Sequence, residues 1–132
     1  MTEIEVVRAI YEAMAAKDFA RIFALLDPEV VVEQDDRLPW GGRHVGHDGF
    51  ASFGLALSSA IQSAVEIEAL FAADDEIVQF GRTRGTVVAN GSSFDLPEVH
   101  RWKVRDGQAV AAHFQIDTEA MLGHLGSEAT TP

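Results

Sequence analysis

The stretch HFQIDT, residues 113–118, places His113, Gln115 and Asp117 at alternate positions. On a strand, alternate side chains share a face, so an imidazole, an amide and a carboxylate would stand in one row. Phe114 and Ile116 would point the other way. A carboxylate at the mouth of an apolar cavity loses hydration, which moves it toward useful acid–base range. A histidine two pleats away could polarise a carbonyl or orient a water. The same aspartate precedes a segment of helical character, where a carboxylate caps free backbone N–H groups instead. Both roles stay open for Asp117, and a simple hydrogen-bonded wall stays open for His113 and Gln115.

Other residues share this double reading. His100 and Trp102 alternate within a later β-rich run, as a hydrogen-bonding group and a flat wall for a ring-shaped ligand, or as a satisfied core histidine and a core indole. Tyr11 lies on an apolar stripe, with its hydroxyl either in a cavity or at its rim. Trp40, Phe53 and Gln34 join Trp102 and Gln115 as candidate ligand contacts. Arg82 and Arg84 have one parity; they reach a cavity or, as is commoner on a long strand, point to solvent. His44-x-x-His47-Asp48 has metal-ligand residue types but spans a loop and a helix start, with no distant third ligand. No metal and no cofactor are expected. The chain has no cysteine, which removes thiolate catalysis and disulfides, and no serine sits in a nucleophile elbow.

The elements that must position these residues follow from periodicity. Ile4, Val7, Tyr11 and Met14 make the stripe of a first helix. Lys17-Asp18 breaks it, and Phe19, Ile22, Phe23 and Leu26 form a second, ended by Asp27-Pro28. A β-branched strand runs from Val30 to about residue 35, and residues 36–46 read as a Pro/Gly-rich loop holding Trp40. A third helix starts at Asp48 and carries Phe50, Phe53, Leu57, Ile61 and Ala64 on one face. A strand over 65–73 leads to three more, 77–89, 93–105 and 108–117. Asn90-Gly91 and Asp106-Gly107 separate these three as hairpin turns. A short helix over 118–125 and a frayed tail, 127–132, complete one domain with its core in about 3–126. The order ααβαββββ predicts an α+β fold with helices on one face of a curved sheet.

Composition sets bounds on partners. Of 132 residues, 21 are acidic and 10 basic, a formal charge of −11 that repels phosphate backbones and anionic lipid. Nucleic-acid and membrane partners are therefore not expected. The first residues carry two glutamates where a secretory signal would be basic, and the longest uncharged run is a serine-containing core helix, so a cytoplasmic protein is expected.

Several stretches, YEAMAAKDFARIFALLDPEVVVE, GHDGFASF, RTRGT, HRWKVRDGQAV and HFQIDTEAMLGHLG, resemble the SnoaL-like polyketide cyclases and ketosteroid isomerases of the nuclear transport factor two-like superfamily. The resemblance covers residues 3–126. It implies a cone-shaped α+β barrel with an apolar cavity open at one end, and dimers formed through the outer sheet surface. It makes Asp117 the proton-transfer residue, as the strand-end aspartate is in SnoaL-like cyclases. It places His100 where ketosteroid isomerase keeps an oxyanion-stabilising aspartic acid, and Tyr11 where that enzyme has its oxyanion tyrosine. The isomerase's general base falls on Gln34, which cannot take a proton from carbon, and a slip to Asp35 would reverse the face. RTR lacks the aspartate of the limonene epoxide hydrolase pattern. The sequence therefore points to a small-molecule-binding protein for a neutral, hydrophobic or carbonyl-bearing ligand. Cofactor-free proton transfer by Asp117, helped by His113, Tyr11 and His100, is the favoured activity. A non-catalytic binding or assembly module is the rival.

Overall fold

Helix α1 (Glu3–Ala16) begins where Thr2 and Glu5 cap each other. Thr2 Oγ1 accepts from the Glu5 backbone N–H at 3.2 Å, and Glu5 Oε1 accepts from the Thr2 N–H at 2.7 Å. Two donors that the first turn would leave unpaired are thereby satisfied. Lys17 stops the helix in left-handed conformation, φ 56°. Asp18 then caps α2 (Phe19–Ala24), accepting from the Arg21 N–H at 3.2 Å. The computed structural model describes residues 1–126, so the tail expected to be frayed lies outside the described residues.

Beyond α2 the chain runs β1 (Leu26–Gln34), β2 (Gly42–Val45), α3 (Gly46–Ala60), β3 (Ile61–Ala73), β4 (Glu76–Val87), β5 (Ser93–Arg105), β6 (Gln108–Ile116) and α4 (Thr118–Gly126). The six strands form one curved, unclosed sheet in the order β2-β1-β6-β5-β4-β3. Neighbours are antiparallel except β1 and β6, which run parallel. Helices α1 and α3 pack on the concave side. This is the α+β arrangement that the element order implied and the cone that the family resemblance implied. Among the described residues no helix is long and apolar enough to cross a membrane.

Three elements differ from the sequence reading. The loop over 36–46 contains β2, which pairs with the end of β1, from Val31 opposite Val45 to Gln34 opposite Gly42. Asp27-Pro28 lies inside β1 rather than at a helix end, near a register shift between Leu26 and Val31 that accommodates a residue without an N–H. Helix α3 stops at Ala60, and Ile61 and Ala64 belong to β3. There Ile61, Ser63, Val65 and Ile67 alternate, and the strand pairs with β4 from Ile61–Val87 to Ala73–Glu76. Spacings of three and four residues fit one helix face, but period-two alternation of β-branched residues with a full-length partner strand wins.

The β5–β6 hairpin contains the detail that governs the site. Beside the Asp106-Gly107 turn, Arg105 lies opposite Gln108 and Val104 opposite Ala109. One step on, Lys103 lies opposite Ala111, so Val110 is the extra residue of a β-bulge. From there His100 faces Phe114, whereas the unshifted register would have set it opposite His113. The slip reverses which residues of β6 face the core.

Candidate functional site

Residues directly opposite on neighbouring strands share a face. Pairing across β4, β5, β6 and β1 therefore sets Gln79, His100, Phe114 and Gln34 in one row on the inner face. The adjacent row holds Ile77, Trp102, Ala112 and Val32, all buried. Helix α1 supplies Tyr11 to these rows, buried with its apolar neighbours Val7 and Ile10.

At their junction lies a closed polar network. Tyr11 Oη lies 2.7 Å from His100 Nδ1 and accepts from Trp102 Nε1–H at 2.9 Å. Gln79 Nε2 donates to Glu98 Oε2 at 2.7 Å and lies 3.3 Å from His100 Nδ1 and 3.5 Å from Tyr11 Oη. The indole N–H and the Gln79 NH2 can only donate, so among the groups touching Oη the phenol proton goes to Nδ1. With Nδ1 accepting from the phenol, the ring hydrogen of a neutral His100 falls on Nε2. That nitrogen makes no hydrogen bond in the network but has Glu98 Oε1 beside it at 3.4 Å. Burial pushes the Tyr11 hydroxyl far above its ordinary pKa; bonds from Trp102 and Gln79 oppose the shift, and the charge of Glu98 adds to it. Tyr11 therefore remains a protonated donor. The Glu98 side chain is 2% exposed, and Gln79 is completely buried with its Oε1 unpartnered.

His100 opens onto a narrow cleft of about 80 Å³, lined also by Gln34, Trp40, Phe53, Thr83 and Phe114. Trp40 Nε1 donates to Gln34 Oε1 at 3.0 Å, which folds the 35–41 loop over the end of the cone. Phe53 of α3 stacks on Phe114 at 5.6 Å between centroids. The structure thus brings Tyr11, His100 and Trp102 into one network, with Gln34, Trp40 and Phe53 around the cleft beside it.

The HFQIDT row lies elsewhere, and its expected inward facing is corrected. Because of the bulge, Ala112, Phe114 and Ile116 face inward, while His113 and Gln115 face out. These two line a hollow of about 190 Å³ with Asp35 and Thr118, bordered by Phe114 and Ile116, which also border the His100 cleft, and the Nδ1 of His113 is buried without a hydrogen-bond partner. Asp117 is exposed and caps α4, its Oδ1 accepting from the Ala120 N–H at 3.0 Å. Asp35 is held to a pKa of about 2 by hydrogen bonds from Arg37. Arg82 and Arg84 also point outward, paired with Asp95 and with Glu66 and Asp95 respectively. His44 bonds the carbonyls of Trp40 and Gly41, and His47 that of Leu26. Among the described residues no three His, Asp or Glu side chains converge as metal ligands. Sequence reasoning missed Glu98 and Gln79. Glu98 had a signal, since it shares the alternation of His100 and Trp102.

A model of the SnoaL-like domain matches residues 7–112. The chain belongs to the SnoaL-like domain family. No curated protein sequence matches it. Solved structures share the fold along nearly the whole chain. A Burkholderia pseudomallei NTF2-like protein of unknown function is 29% identical, with 96% of this chain and 99% of that one covered and a TM-score of 0.87. TerC, co-crystallised with polyporic acid, is 24% identical over 92% and 96%, TM-score 0.84. A candidate polyketide cyclase from Xanthomonas campestris pv. campestris is 23% identical over 92% and 95%, TM-score 0.80.

Proposed function

We propose that this SnoaL-like protein takes a small carbonyl-bearing organic molecule at the His100 cleft and stabilises its enolate, without a cofactor. The observation that carries the reading is the 2.7 Å contact between Tyr11 Oη and His100 Nδ1 beside the cleft. Tyr11 and Gln79 occupy Nδ1, which leaves Nε2–H as the one ring donor that a ligand in the cleft can meet. A neutral, oriented N–H in a dry site stabilises charge as it develops on a carbonyl oxygen. The apolar walls from Phe53, Phe114 and Trp40 suit a ring, and a net negative chain suits a neutral one. Membership of the family and its fold neighbours, a candidate polyketide cyclase among them, supports a ligand-binding protein of cyclase type.

A second reading, a binder without chemistry, is favoured by the narrowness of the cleft and by the capping use of Asp117. One measurement separates the two. 2-Tetralone, a bicyclic ketone, is incubated with the protein in deuterated buffer, with binding followed by ligand-observed NMR and exchange at the carbon next to the carbonyl by mass. The proton-transfer reading expects binding and accelerated exchange, both reduced in His100→Ala. Binding without exchange assigns the non-catalytic role, and an absence of binding overturns the ligand class.

The outer sheet surface supports a homodimer. Phe71 and Phe80 meet edge to face, 5.4 Å between centroids, and remain 38% and 45% exposed beside Val78. A Phe80→Glu variant sedimenting as a monomer where the wild type is a dimer would support this interface; two monomers would exclude it.

A further inference from the structure

The proposed reaction needs a base, and neither position that the resemblance offers supplies one: position 34 is a glutamine, and Asp117 is exposed on the α4 cap. We propose that Glu98 is the proton-transfer carboxylate of this site. The inference rests on the enolate reading above and adds the group that makes it a reaction.

Glu98 stands one inward position along β5 from His100, opposite Gly81 on β4 and Ile116 on β6. Ile116 and His100 both line the cleft. Gly81 is the residue that makes space for this arrangement, because a side chain there would begin 2.2 Å from Gln79 Oε1 and 2.1 Å from the Glu66 carbonyl oxygen. The carboxylate is 2% exposed and, among the described residues, has no arginine or lysine partner and accepts a hydrogen bond through Oε2 from the Gln79 amide. Its other oxygen, Oε1, lies 3.4 Å from the Nε2 that holds the ligand oxygen. Glu98 is not itself among the residues lining the cleft and stands behind His100, so proton abstraction requires a ligand oxygen on Nε2–H to carry its adjacent carbon past the imidazole toward Oε1. The C–H bond breaks and an O–H bond forms on Glu98. The electron pair moves into the C=C–O⁻ unit, whose oxygen keeps the Nε2 hydrogen bond. Return of the proton to a conjugated carbon completes an isomerisation, and trading it for a solvent deuteron before return to the same carbon completes an exchange; either path restores Glu98. No other reactant is consumed. Gln79 has a positioning role, aiming Oε1 by holding Oε2.

The test uses Glu98→Gln and Glu98→Ala with 2-tetralone in deuterated buffer. Glu98→Gln conserves shape, so binding should stay within about threefold, while exchange falls roughly a hundredfold to ten-thousandfold. Formate added to Glu98→Ala should restore part of the exchange, which a merely structural residue would not allow. Exchange at the wild-type rate in Glu98→Gln removes Glu98 from the chemistry and leaves the His100 reading standing. No formate rescue in a Glu98→Ala protein that still melts cooperatively does the same. A wild type that binds the ketone without exchanging it overturns both readings.

Discussion

Strands β5 and β6 are the two arms of one hairpin, yet their polar alternations end on opposite sides of the sheet. On β5, Glu98 and His100 point inward with Trp102 and are buried in a shared network. On β6, His113 and Gln115 point outward to a solvent-open hollow. One inserted residue, Val110, separates these outcomes. The lesson is that a polar row identifies a wall, while the register of the neighbouring strand decides which side of the wall it is.

Breaking the inner arm should have the largest effect. Trp102→Ala removes a fully buried indole that also donates to Tyr11, and should cost about 3–5 kcal/mol in urea denaturation. Tyr11→Phe keeps the ring but leaves the Trp102 N–H and His100 Nδ1 without their bonds to the phenol; a loss of about 1–3 kcal/mol is expected. On the outer arm, Asp117→Ala should cost only about 1 kcal/mol, the value of a helix cap. Its 2-tetralone exchange should match the wild type, and a collapse of exchange would return Asp117 to the role that family resemblance gave it. His113→Ala should change stability by less than about 0.5 kcal/mol, as is usual for side chains outside the core. A cost of several kcal/mol there would mean that the hollow beside His113 is closed by contacts formed between chains.

Much of this arrangement was legible beforehand, for physical reasons. The helix stripes, the Asp106-Gly107 turn and the alternation of His100 with Trp102 are local, so a single sequence displays them. Lys17 and Asp106, both at positive φ, fall where the periodicity breaks. The misread parts depended on partners. Ile61 and Ala64 fit a helix face until β4 is present to pair with them. The short β2 has no strand signal of its own and exists because the end of β1 offers an edge. The bulge at Val110 has no glycine to announce it. Glu98 was overlooked because a glutamate in a strand is ordinarily solvated; only the opposing Gly81 and Gln79 show that this one is buried.

The place of β6 in the sheet also bears on how the molecule comes together. It is the last strand in the chain but lies in the middle of the sheet, where it joins β1 to β5. Its parallel partner is distant: Gln34 meets Phe114. Pairings among β3, β4 and β5 close short loops and can form early, whereas joining β1 to that meander must await a costly long-range closure. A chain emerging from the ribosome would therefore hold Gln79, Glu98 and His100 on one strand pair while Gln34 remained separate. The cleft would acquire its opposite wall in the final act of folding.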